Sequence, residues 1–340
     1  MDKRHIPFEQ LVASFEVYNK TVGKSPETVA WYNARLALFA RFVGESCCLG
    51  DVTIDRVRRF IVHLQERNTK NPNNPFVINK KGTLSTSYIQ GFARALRAFS
   101  TWLCEDGYTD TNILKPLKPP RIQQKIVEVL TDDEVNRLVA IFDQDDSFGA
   151  RDFAITWTLL DCGLRASELC GLKTEDAHLA EGYLKVLGKG NKERLVPIGR
   201  RCQDALLRWR DRFRPAFEVA ENSRLFLSSN GQPLTVDSLE EIVRRAGYRA
   251  RLPRLHCHLL RHTFATNYLV KEVGDPLRLQ QILGHTSLEM VRRYVSMANV
   301  QRSLIDRRSS PMDLIADSQP PSRNARRLQA RKPKRLRAVK

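Results

Sequence analysis

The chain has 340 residues, is 42% hydrophobic and carries a net charge of +18 with a pI near 9.9. That length suggests about two domains of roughly 150 residues, and the apolar fraction suffices for ordinary buried cores. No apolar run approaches the roughly 20 residues that span a bilayer, and the polar start MDKRHIPFEQ does not read as a secretory leader, so membrane and secreted classes are not expected.

The charge is spread along the chain. Residues 1–120 hold 17 basic and 11 acidic side chains, residues 121–310 hold 30 and 25, and residues 311–340 hold 9 and 2. Both prospective folded regions are therefore basic, as expected of a protein that closes around a polyanion such as DNA. Simple solubility is the plain alternative. The seven cysteines are odd in number, contain no Cys-x-x-Cys pair, and include the adjacent Cys47 and Cys48. They read as reduced thiols of a cytoplasmic protein.

Residues 8–118 read as a helical domain. Ser25-Pro26-Glu27 is a helix start, with Ser as cap and Pro in the first turn. Val29, Tyr32, Leu36 and Phe39 then recur at helical spacing. Thr53 opens a helix through Arg67, and the polar stretch 68–82 reads as a loop. Leu84 to Glu105 is a long amphipathic helix with the stripe Ile89, Phe92, Leu96, Phe99 and Leu103, ended by Gly107. Residues 113–127 form a Pro/Lys-rich connector without periodicity, and the linker between domains is expected at 119–129.

A second domain is expected over 130–308. It opens at Leu130-Thr131-Asp132-Asp133-Glu134, a cap with acids in the first turn. A helix at 150–162 leads into Gly163-Leu164-Arg165. Apolar segments at 183–187 and 194–198 flank Gly188-Lys189-Gly190-Asn191 and predict a hairpin. Leu225-Phe226-Leu227 reads as another short strand, and helices resume to about residue 305. Residues 309–340 form a basic tail, expected to be disordered in isolation. No internal repeat is visible.

The chemistry concentrates in a few strings. A phenol of pKa about 10 attacks a phosphodiester only if its proton is removed or the phenolate is stabilised. Cations must also meet the non-bridging oxygens, where charge builds in the transition state. Arginine suits that role, being planar, always charged and bidentate toward phosphate. Tyr294, Arg165, Arg261, His258 and His285 supply this set. Taken alone, a helical tyrosine is most often packing and an arginine most often surface. Glu168, three residues after Arg165, can hold its guanidinium. His258 and Arg261 lie one helical turn apart and share a face. His262 falls on the neighbouring face and reads as a structural histidine. Lys189, at a hairpin tip, is an ordinary surface lysine or a mobile acid for a leaving oxygen, a role typically worth ~10²–10⁴ in rate.

Metal and nucleotide chemistry find little support in the sequence. His258 and His262 have (i, i+4) spacing, but position 259 is Leu where a His-Glu-x-x-His motif has Glu, and no cysteine pair has zinc-site spacing. No phosphate-binding Gly-rich loop with Lys-Ser/Thr is present. Neither metal nor cofactor is expected.

The strings GLRASEL (163–169), GKGNKERLVPI (188–198), HLLRHTFAT (258–266) and LGHTSLEMVRRYV (283–295) resemble the tyrosine recombinases of the phage-integrase and Xer type. The stretch SYIQGFARALRAFSTWL (87–103) resembles that family's N-terminal core-binding domain. The resemblance covers most of residues 8–305, and all six expected active-site positions are filled. It implies a mainly α fold with a small antiparallel β-sheet (α+β), built as a two-domain, C-shaped DNA clamp. A helical, SAM-like core-binding domain at 1–118 would precede a catalytic domain at 130–308.

By the same resemblance, Arg165 and Arg261 would clamp the non-bridging oxygens and Lys189 would protonate the leaving 5′-hydroxyl. His258 would assist proton transfer on the nucleophile side, and His285 would bind the phosphate or position Tyr294. Tyr294 would attack to give a 3′-phosphotyrosyl enzyme, with Glu168 supporting Arg165 or His258. The ester stores the bond energy, so religation would need neither ATP nor metal. The family further implies double-stranded DNA recombination sites as substrate and a homo-tetramer exchanging strands through a Holliday junction. The segment near 298–306 would pack in trans. An accessory protein or partner recombinase is a possibility the resemblance leaves open, and localisation would be cytoplasmic, nucleoid-associated on DNA. Integration and excision of a mobile element is the preferred role, with Xer-like multimer resolution as the alternative. A type IB topoisomerase, a non-catalytic DNA-binding protein and a metal-dependent hydrolase are further readings. The basic tail is expected to add salt-sensitive phosphate contacts, so deleting 319–340 should flatten the salt dependence of DNA binding. An unchanged salt slope would remove that idea.

Overall fold

The computed structural model describes residues 3–44, 46–67, 83–121, 128–188, 190–217, 223–271, 274–285 and 287–305, with side chains to residue 299. The expected loop at 68–82, the core of the linker, Lys189 and the basic tail lie outside the described residues. The chain divides into two compact units, residues 1–125 and 126–340. Among the described residues no helix is long and apolar enough to cross a membrane.

The first unit is helical: α1 (Phe8–Thr21), α2 (Pro26–Val43), α3 (Ile54–Glu66) and α4 (Thr86–Glu105). The expected helix starts at Ser25 and Thr53 are caps, and Ser85 caps α4, each side chain accepting from the backbone N–H three residues on. Such caps are typically worth about 1 kcal/mol each. Helix α1, not singled out in the sequence, contributes Phe8, Leu11 and Phe15 to the core. These meet Phe39, Phe60, Phe92, Phe99 and Trp102. The rings pack mostly edge-on or tilted, as between Phe8 and Phe99 at 5.3 Å, an arrangement worth about 0.5–1.5 kcal/mol per pair beyond burial.

The second unit is helical around one small sheet. It comprises α5 (Asp132–Ala140), α6 (Ser147–Cys162), α7 (Ala166–Gly171), β1 (Ala177–His178), β2 (Tyr183–Gly188), β3 (Lys192–Pro197), α8 (Arg200–Leu207), α9 (Val236–Arg249), α10 (Cys257–Lys271), α11 (Pro276–Leu283) and α12 (Leu288–Ile305). The three strands are antiparallel in the order β1-β2-β3, with Gly188 opposite Lys192. The predicted hairpin is β2–β3, and Gly190 and Asn191 take the left-handed φ values of 79° and 57° that its tip requires. The fold is thus mainly α with a small antiparallel sheet.

One reading needs correction. Leu225–Leu227 does not form a strand in a sheet; its neighbourhood makes only isolated bridges, Lys173 with Arg224 and Leu227 with Pro233. The apolar run is buried there as core, with all three side chains inaccessible, which is why it has a strand's composition without a ladder. The third strand is instead β1, two residues long and too short for any periodicity.

Candidate active site

Four segments distant in sequence meet in the second unit: the 163–168 turn into α7, strand β3, helix α10, and the end of α11. Glu168 stands where they join, its side chain only 3% exposed. It receives the Arg165 guanidinium at 2.6 Å and the Arg165 backbone N–H at 2.9 Å, so it caps α7 while pairing with the residue before it. Arg194 donates to both carboxylate oxygens, at 3.0 and 2.8 Å, a bidentate fork. Arg261 lies 4.0 Å away. Burial pushes the Glu168 carboxyl up. The hydrogen bonds and charges of Arg194 and Arg165 outweigh that and hold it below its ordinary value.

One carboxylate cannot neutralise three guanidiniums, and helix-end carbonyls hold them without cancelling the excess charge. The last carbonyls of a helix lack intrahelical partners and carry the negative end of its dipole. Arg261 donates to the Gly163 carbonyl beyond α6 at 2.6 Å and to the Leu283 carbonyl of α11 at 2.9 Å. Arg194 donates to the Ile282 carbonyl at 2.7 Å, and Arg165 to that of Gly284 at 3.2 Å. Gly163 and Gly284 cap their helices in the left-handed region, with φ of 60° and 63°. At Gly163 a Cβ would also come within 2.3 Å of the Phe264 ring, so glycine alone fits. The three arginines differ in access: 30% of the Arg165 side chain is exposed, against 12% for Arg194 and 2% for Arg261.

Tyr294, on α12, is buried at 4% exposure among Ala265, Leu269, Leu279, Leu283, Val291 and Ala298. Its hydroxyl shares a 2.8 Å hydrogen bond with Nδ1 of His262. Its ring lies parallel to that of His285, at 6.2 Å. Burial raises the phenol above its ordinary value, although Arg261, Arg293 and Arg165 pull it back. His285 accepts from Arg261 through Nε2 at 2.9 Å, and its buried Nδ1 has no partner among the described residues. His258 is exposed, its ring 4.7 Å edge-on from that of His262. Although one side of its ring is open, loss of solvent on the side packed against the helix lowers the basicity of His258, and the charge of Arg261 adds to this.

The structure therefore brings together Arg165, Glu168, Arg261, His285 and Tyr294, with His258 at the rim; Lys189 lies outside the described residues. Two members were missed. Arg194 was unremarked within the hairpin string. His262, read as structural, is the histidine that touches the tyrosine hydroxyl.

Burial lowers His262 and His285 to about 4, with neighbouring cationic groups acting in the same direction. Both are neutral at physiological pH. Between the ordinary histidine value of 6.5 and about 4, the unfolded chain binds protons that these folded rings refuse. Stability is therefore expected to be full above pH 6.5 and to fall progressively toward pH 4. Thermal melts across that window should show it; a midpoint independent of pH would contradict the assignment.

Metal-type ligands also come together at Asp161, Cys162 and Cys202, whose ligand atoms lie within 4.8 Å of one another. The two cysteines are 40 positions apart, so no sequence spacing flagged them. The hydrogen bond with Cys202 and burial raise the Cys162 thiol well above its ordinary value, which disfavours the thiolate a metal needs. The Asp161 carboxylate already accepts the Gly199 N–H at 2.7 Å. None of the site histidines belongs to this group.

The profile of the phage integrase family matches residues 128–300. The chain belongs to that family. A tyrosine recombinase XerC of Pelobacter propionicus is 33% identical over 300 residues, spanning 86% of this chain and 92% of that protein. This recombinase is accordingly a tyrosine recombinase, an enzyme of site-specific recombination. Its fold resembles that of the Tn1549 transposon integrase in complex with a circular intermediate DNA, with a TM-score of 0.65 and 19% identity over 85% of this chain and 95% of that one. It also resembles a lambda integrase tetramer bound to a Holliday junction, with a TM-score of 0.61 and 17% identity over 83% and 78% of the two chains.

Proposed function

We propose that the enzyme cuts and rejoins double-stranded DNA at specific sites through a 3′-phosphotyrosyl intermediate formed by Tyr294. The observation that carries this reading is the convergence of three arginines on one carboxylate beside a buried tyrosine hydroxyl. Glu168 and the helix-end carbonyls hold these cations, and the cluster keeps an excess of positive charge suited to a phosphodiester. Arg165 is the most accessible guanidinium and is assigned to the non-bridging oxygens, with Arg261 contributing from beneath. The orphaned Nδ1 of His285 is a donor suited to a phosphate oxygen. Lys189 is assigned to protonate the 5′ oxygen, and His258 to assist proton transfer on the tyrosine side.

Strand exchange would follow in a tetramer through a Holliday junction, with the end of α12 and the residues after it packing on a neighbouring subunit. The role assigned is integration and excision of a mobile element. Xer-like multimer resolution is the second reading, favoured by the XerC name of the relative aligned over 86% of this chain. The test is covalent capture. The full chain is incubated, in chelator and without ATP, with a library of nicked random duplexes, and the DNA retained on denatured protein is sequenced. A discrete enriched site is expected, and its genomic position separates the two roles. Adducts scattered without sequence preference would favour topoisomerase-like relaxation; DNA binding without any adduct would mean a non-catalytic protein.

A further inference from the structure

We infer that His262 is a catalytic residue, the base that takes the Tyr294 proton directly and the acid that returns it on religation. This deepens the recombinase reading and rests on it. His262 Nδ1 lies 2.8 Å from Tyr294 Oη, within the 2.6–3.2 Å reach a general base requires. His258 is one ring further out, in edge contact with His262. The order of rings from the buried nucleophile to the exposed rim is therefore Tyr294, His262, His258.

The surroundings suit the task. Burial keeps the phenol protonated at neutral pH, so attack needs an acceptor at the hydroxyl. The groups facing His262 are His258 and Arg261 on its own helix, His256 just before it, and Arg293 and Tyr294 on α12; apart from the tyrosine, these neighbours disfavour a standing imidazolium. The ring is thus a free base before reaction. As the phenolate oxygen bonds to phosphorus, the Oη–H bond breaks and its proton moves to Nδ1. The phosphorus–O5′ bond breaks, and the leaving oxygen takes a proton from Lys189 in the proposed assignment. In the reverse step the imidazolium protonates Oη as the phosphotyrosyl bond opens. His258 is the next group outward and assists from there.

The test compares wild type with His262→Asn and His262→Ala on the nicked duplex enriched by covalent capture, reading single-turnover adduct formation from pH 5.5 to 9. Asn places an oxygen near the position of Nδ1 and can orient the phenol, but it cannot take its proton. Wild type is expected to be nearly flat with pH. His262→Asn should fall about 100-fold at pH 7 and regain about tenfold per pH unit, because the phenolate must then form unaided. A rate within threefold of wild type, or a loss that is the same at every pH, would overturn the proposal. ¹⁵N-histidine spectra of the free protein keep it decidable if the variants misfold. Nδ1 of His262 should be unprotonated and should shift in Tyr294→Phe; a proton on Nδ1 would overturn the proposal. Absence of any wild-type adduct would fail the recombinase reading instead, leaving the tautomer to decide whether His262 accepts from Tyr294.

Discussion

Tyr294→Phe is expected to bind DNA like wild type and never become attached to it. The change removes one oxygen and keeps the ring in its apolar setting beside Leu269, Leu283 and Val291. Losing the hydrogen bond to His262 leaves a partly buried imidazole nitrogen unpaired, a cost of about 1–3 kcal/mol that a folded domain absorbs. The arginine cluster, to which the phosphate contacts are assigned, is untouched. Adduct formation should drop by roughly 10⁴-fold or more, as when other enzymes lose their nucleophile. Denaturing gels read the adduct and native gels read binding. An adduct that persists in Tyr294→Phe would mean a different nucleophile.

Glu168→Ala should be the most damaging change that touches neither tyrosine nor phosphate. It strips Arg165 and Arg194 of their shared counter-charge and leaves them close to Arg261. Breaking a buried pair by removing one partner typically costs about 3–5 kcal/mol. For a unit of this size the melting point should fall by roughly 10 °C. Adduct formation should fall as well, because Arg165 loses both its side-chain partner and the carboxylate that caps its turn. Glu168→Gln retains the shape and part of the hydrogen bonding, so it should lie between the two. A Glu168→Ala protein that melts like wild type would show that the carbonyls of α6 and α11 alone suffice to hold the cations.

Much of this site was legible because it is local. Arg165 and Glu168 are three residues apart, and that spacing announces the pair. His258 and Arg261 share a helical turn for the same reason. The caps of α2, α3 and α5 were readable from Ser25, Thr53 and Thr131, since a cap is a matter of three or four residues. What escaped depends on partners far along the chain. Arg194 sits in a polar strand that looks solvent-facing, and its partner is 26 residues away. His262 looked like a core histidine because its partner, Tyr294, is 32 residues away on another helix. Leu225–Leu227 had the composition of a strand, yet composition cannot tell a paired segment from a merely buried one.

The bond from Arg165 to the Gly284 carbonyl spans 119 positions of the chain. The Arg165 anchor is therefore completed only when the turn that follows α6 meets the end of α11. Tyr294, the proposed nucleophile, comes later still, on α12. In the proposed mechanism, cleavage therefore depends on segments from α6 to α12 being packed together at once.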